Sequence, residues 1–203
     1  MMNDFPTEHP KDSESTVSNH HVKCQYCRRN FLLGRLTPKV YLAGKIRKND
    51  WRHSLVPNLR ESSWYDAPVD CGAYLYVGPF FSGCDHGCYH GPTTHGNLSG
   101  SDQCQSHSMN REEVRYRCLQ GVDECDVFLA YIDSGDCYGT IAETQTAIAK
   151  GKLIVMAFAP GIASVKKNDF WFVSTEAHGV HVDVSESDLP ELLRRIVVGL
   201  YVK

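Results

Sequence analysis

The stretch CDVFLAYIDSGDCYGTIAETQTAIAKGKLIVMAF, residues 125–158, carries a single glutamate, Glu143, between an acidic loop punctuated by glycine and a second apolar run. A carboxylate where a buried sheet meets a helix costs desolvation, and two roles justify it. It attacks an electron-poor carbon as a nucleophile, or it satisfies amides as a capping group. A second set is cationic: Lys45, Arg47 and Arg52 follow Gly44 closely. Guanidinium and ammonium groups beside a backbone loop suit a phosphate, and solvated surface charge explains them as well. A third set is soft: Cys24-x2-Cys27 has zinc-ligand spacing, and a distant loop supplies Cys84-x3-Cys88 with His86, His90 and His95 as partners for a structural metal.

Positioning these groups requires a scaffold, and the apolar runs describe one. KVYLAGKI (39–46), AYLYVGPF (73–80), DVFLAYI (126–132) and LIVMAFA (153–159) read as strands, with DFWFV near residue 170 as a fifth. The segment RKNDWRHSLVP reads as a short helix capped by Asn49 or Asp50, and residues 109–125 as a helix capped by Asn110. GTIAETQTAIAKG (139–151) is a helix with Glu143 in its first turn, and DLPELLRRIVVGLYV closes the chain as another. Within residues 139–151, Ile141, Ala142, Ile148 and Ala149 share the apolar face, and Thr140, Glu143, Ala147 and Lys150 form a less apolar stripe beside it. Uninterrupted apolar strands alternating with helices imply an α/β fold, a parallel sheet with helices on both faces. Ligands in such sheets sit beyond the carboxyl ends of the strands. The loops AGKIRKND, GPFFSGCDHGC and DSGDCYGTIAE would meet there.

Of the 203 residues, 42% are hydrophobic, which suffices for a core, and a formal charge of −3 gives no basic field for nucleic acid or a membrane surface. Residues 1–22 are polar and read as a flexible tail, residues 23–37 as a zinc knuckle, and 38–203 as the folded domain with a Cys/His-rich insertion at 81–108. The polar N-terminus lacks a signal-peptide core, so the nine cysteines are expected in a reducing cytoplasm, as packing groups, metal ligands or reactive thiols. No apolar run reaches membrane-spanning length.

VYLAGKI, CDVFLAYID and YGTIAETQTAIAKGKLIVMAF, in this order, resemble the nucleoside 2-deoxyribosyltransferase family over about residues 39–160. GTIAE is the most specific part and places Glu143 on the family's nucleophile. The resemblance implies a flavodoxin-like or Rossmann-like fold, a homo-oligomer, and cleavage of an N-glycosidic bond in a nucleoside, nucleotide or NAD-like substrate without a catalytic cofactor. Glu143 would attack the anomeric carbon, and Asp133 or Asp136 would bind sugar hydroxyls or position it. The substrate-facing set is then Tyr41, Gly44, Lys45, Arg47 and Asp50 from the first strand and loop, Gly139 and Thr140 from the helix start, and Asp85 and His86 from the central loop. Asn168 would reach a neighbouring subunit's site, unless KKNDFWF is simply a turn.

The sequence departs from the family pattern at three places. Cys137 replaces the acid two residues before Gly139, Cys118 lies where some members have an acid near the leaving base, and Gly44-Lys45 replaces Gly-Pro. Cys24, Cys27, Cys84 and Cys88 form a structural zinc site in one reading. In another the central loop lines the pocket, and in a third it is a glycine-rich structural loop. YGTIAE also looks like part of the motif of cytokinin-activating phosphoribohydrolases, although SGDC stands where that motif requires Pro-Gly-Gly. A non-catalytic nucleotide-sensing module is the contrasting class.

Overall fold

The computed structural model describes residues 37–46, 50–59, 62–80, 111–162 and 169–201. Six strands form one sheet: β1 (Lys39–Gly44), β2 (Val69–Asp70), β3 (Leu75–Gly78), β4 (Val127–Ile132), β5 (Leu153–Phe158) and β6 (Gly179–His181). The helices are α1 (Arg111–Glu124), α2 (Tyr138–Ala149), α3 (Trp171–Ser174) and α4 (Leu189–Tyr201), and short 3-10 turns cover Trp51–Ser54, Trp64–Asp66 and Glu186–Asp188. The strand order is β2-β3-β1-β4-β5-β6; only β2 runs antiparallel, as an edge ribbon on β3. Without β2, the parallel strands are arranged second, first, third, fourth, fifth. This is the flavodoxin-like order, with its switch point between β1 and β4. The α/β expectation therefore holds.

β1 and β4 are central because both their faces are covered. Every residue of β4 is buried, as are Val40 to Ala43 of β1. Each large apolar side chain so enclosed contributes about 1.5–3 kcal/mol. The register pairs Tyr41 with Phe128 and Gly44 with Tyr131, so Tyr41 and Phe128 share one face, where their rings stack at 5.6 Å. On this face α1 and α2 pack against each other and over β1, with α1 also on β3 and α2 on β4 and β5. The opposite face holds Trp51, whose ring meets Tyr131 edge-on. Trp51, His53 and Ser54 stand across a shallow pocket from Glu186, Ser187 and Pro190, which puts the start of α4 on that same side. α4 buries Leu189, Leu192, Leu193 and Val197, spaced as one helical stripe.

One close approach sets the distance of α1 from the sheet. A Cβ on Gly121 would lie 2.5 Å from the Val77 carbonyl oxygen and 2.9 Å from the Tyr41 ring. Only glycine allows the helix to rest there.

Three expectations change. DFWFV is not a strand: Trp171–Ser174 is a helical turn, because Phe170 and Val173 are the buried pair and their spacing of three suits a helix. The fifth parallel strand is the short β6, GVH, which follows it. The inner face of α2 is Thr140, Thr144 and Ala147, while Ala142 and Ala149 are exposed. Small residues let that helix lie close to the sheet, and the isoleucines pack at its flanks. Among the described residues no helix is long and apolar enough to cross a membrane, and Cys71, Cys118, Cys125 and Cys137 form no disulfide.

Candidate active site

A cleft of about 570 Å³ opens beyond the carboxyl ends of β1, β3 and β4, at the switch point. Its floor begins at Gly44, Lys45 and Ile46 after β1 and Pro79 after β3. One wall is α1, through Val114, Arg115, Cys118 and Leu119; the other is the start of α2, with Tyr138, Gly139, Thr140 and Glu143. The ends of the three loops expected to converge do so.

Glu143 belongs to the second turn of α2, since the helix starts at Tyr138 and its first turn holds no acid. The helix dipole fades within the first turn, so it does not set the ionisation of this carboxylate. Neighbours do. The Tyr41 hydroxyl donates to Glu143 Oε1 at 2.7 Å across 102 residues of sequence. Tyr41 is itself immobilised, fully buried between Phe128 and the glycine notch of α1. Burial pushes the Glu143 carboxyl above the usual glutamate range; hydrogen bonds from Tyr41 and Cys118 and the charge of Arg52 oppose that rise without cancelling it. The net effect is an upward shift of the carboxyl, set by burial. The residue is only partly buried and lines the cleft, as a nucleophile must.

Asp136 and Lys45 also line the cleft, as an ion pair of 2.7 Å at its exposed rim. Hydrogen bonds from Lys45 and then Ser134 lower the Asp136 carboxyl to about 2. It is an acceptor at neutral pH, suited to hydroxyls. Asp133 follows β4 but does not line the cleft, and its charge, after burial, helps raise the Cys137 thiol to about 11.

The cationic set separates. Arg52 is fully buried and spends its guanidinium on structure: Nε donates to Leu42 O at 2.6 Å, Nη2 to Gly44 O at 2.8 Å, and Nη1 to both Asp50 oxygens at 2.8 Å. Asp50 also caps the first 3-10 turn through the Arg52 amide at 2.9 Å. Neither residue reaches the cleft as a substrate contact. Gly44 does line it, and a Cβ there would meet Tyr131 O at 3.0 Å and the Arg52 guanidinium at 3.1 Å. The missing side chain makes room for the buried arginine.

Tyr41, read from sequence as substrate-facing, touches the carboxylate instead. Thr140 and Gly139 are at the cleft wall as expected. Arg115 was missed; its only signal was membership of a helix whose other side packs on the sheet. Arg47, Asp85, His86, Asn168 and the metal candidates Cys24, Cys27, Cys84 and Cys88 lie outside the described residues. Among the described residues no group of three or more His, Cys, Asp or Glu could hold a metal. No protein-family model matches the chain, and no curated protein is significantly similar to it.

Proposed function

We propose that the chain is a cytoplasmic enzyme of the nucleoside 2-deoxyribosyltransferase type, which cleaves the N-glycosidic bond of a nucleoside, nucleotide or NAD-like substrate. The observation that carries this reading is a carboxylate held at 2.7 Å by a buried tyrosine on the wall of a cleft of about 570 Å³ at the sheet's switch point. That volume suits a nucleoside-sized ligand. Glu143 attacks the anomeric carbon as the bond to the base breaks, giving a glycosyl ester, and water or a second base then displaces the carboxylate. Ionised Asp136 accepts from sugar hydroxyls, and Lys45 holds Asp136 in place. The apolar side chains Val114 and Leu119 face the flat base. Catalysis requires no cofactor, and the working form is a homo-oligomer.

Incubation with a slow 2-fluoro nucleoside analogue tests the reading: intact-mass analysis should show one glycosyl adduct, mapped to Glu143. A chromatographic screen of nucleosides, monophosphates and NAD should show freed base. If no base is released, and Glu143→Gln binds these ligands as the parent does, a nucleotide-sensing module replaces the enzyme. A structural zinc on Cys24, Cys27, Cys84 and Cys88 is tested by elemental analysis with and without Cys24→Ser.

A further inference from the structure

We propose that Cys118 is a positioning residue for Glu143, its thiol donating a second hydrogen bond that, with the one from Tyr41, fixes the carboxylate against the cleft. Its catalytic consequence rests on the glycosidase reading; the contact itself does not.

Three groups from three elements converge. Tyr41 comes up from β1, Cys118 down from the inner face of α1, and Glu143 across from α2. Cys118 is 7% exposed and lines the same cleft as Glu143. It lies in line with Val114 and Gly121 on α1, so the glycine notch that seats the helix on Tyr41 also brings the thiol to the carboxylate. Cys118 and Glu143 share one cleft wall to wall, and each shifts the other's ionisation. The Tyr41 proton is committed to Oε1, so the thiol proton is the remaining donor.

Its protonation state suits that role. Burial first, then the Glu143 charge, push the thiol well above its ordinary value. Cys118 therefore remains S–H at neutral pH, a weak donor rather than a nucleophile. In return its hydrogen bond works against the burial that raises Glu143. The other ionisable groups around the carboxylate are Tyr41 of β1, Arg52 behind the strand, Arg115 of α1 and Tyr138 of α2 on the walls, and Cys137 with the Lys45–Asp136 pair at the rim. A substitution at Cys118 leaves all of them in place.

The experiment is a carbon-13 titration of glutamate side-chain carboxyls, with the Glu143 signal assigned by its loss in Glu143→Gln. Cys118→Val removes the donor while keeping the side chain apolar; Cys118→Ser preserves a donor. The Glu143 midpoint should move up in the valine variant and stay near the parent value in the serine variant. Equal midpoints in the valine variant and the parent overturn the proposal. Should the valine variant fail to fold by circular dichroism, Cys118→Ala is read in the same way. On a cleaved substrate, kcat/KM on the acid side should fall about 3–10-fold with valine and recover with serine, KM changing little. Titration needs no turnover, so a chain that releases no base removes the glycosidase reading while the midpoints still decide the role of Cys118.

Discussion

The two faces of β1 carry two buried charges under opposite terms. On one face Arg52 is enclosed and its guanidinium bonds Asp50 and the strand carbonyls of Leu42 and Gly44. On the other, Glu143 is crowded by burial, held by Tyr41, and left open to a cleft. The first is a closed account of hydrogen bonds, and removing either partner strands a charge in the interior. The second is left with an upward shift that its neighbours do not cancel. A group that opposes its own burial and faces a cavity is what a reactive site requires, whereas a fully satisfied ion pair is a brace.

The sharpest way to break the comparison is turnover. Glu143→Gln should lower base release by about 10³-fold or more, measured by chromatography of freed base, because the carboxamide is not a nucleophile. Arg52→Ala should leave the Glu143 contacts in place but destabilise the fold by about 3–5 kcal/mol, read from the denaturant midpoint, since Asp50 is left buried and unpaired. Next, Gly121→Ala should cost about 1–3 kcal/mol in the same assay and lower turnover as well, because α1 must lift from Tyr41.

The smallest effects concern pH. Burial raises the Glu143 carboxyl, so the folded state favours its protonated form; that contribution to stability is present below the ordinary glutamate range and is lost as pH rises through the raised value. Glu143→Gln should therefore melt higher than the parent at neutral pH, with the difference shrinking in acid. Activity has the opposite sign: it should fall on the acid side at a higher pH than an ordinary glutamate would give. A melting temperature unchanged at neutral pH would mean that Glu143 is as fully compensated as Arg52.

Much of this was legible in the chain because doubly covered strands write themselves as unbroken apolar runs. KVYLAG, VFLAYI and LIVMAF occupy β1, β4 and β5 as read. DFWFV was misread since a run of aromatics carries no period, and only the burial of Phe170 and Val173 reveals a helical turn. GVH was missed since three residues hold too little pattern, although Ile154 N–H donating to His178 Nδ1 at 3.1 Å helps seat the segment before it. Glu143 was found through GTIAE. Its partner Tyr41 was not assigned, because the two meet only through the packing of α2 over β1. Arg52 was read as a phosphate ligand because sequence shows its charge and conceals its burial.

The sequence by itself determined the long buried strands and the helices between them, and singled out Glu143 as a candidate, because hydrophobic period and motif spacing are local properties. Tertiary structure decided which charges brace the fold and which face a cleft, and in which direction the Glu143 carboxyl is shifted. Those outcomes depend on desolvation and on donors brought from distant segments, which no local pattern encodes.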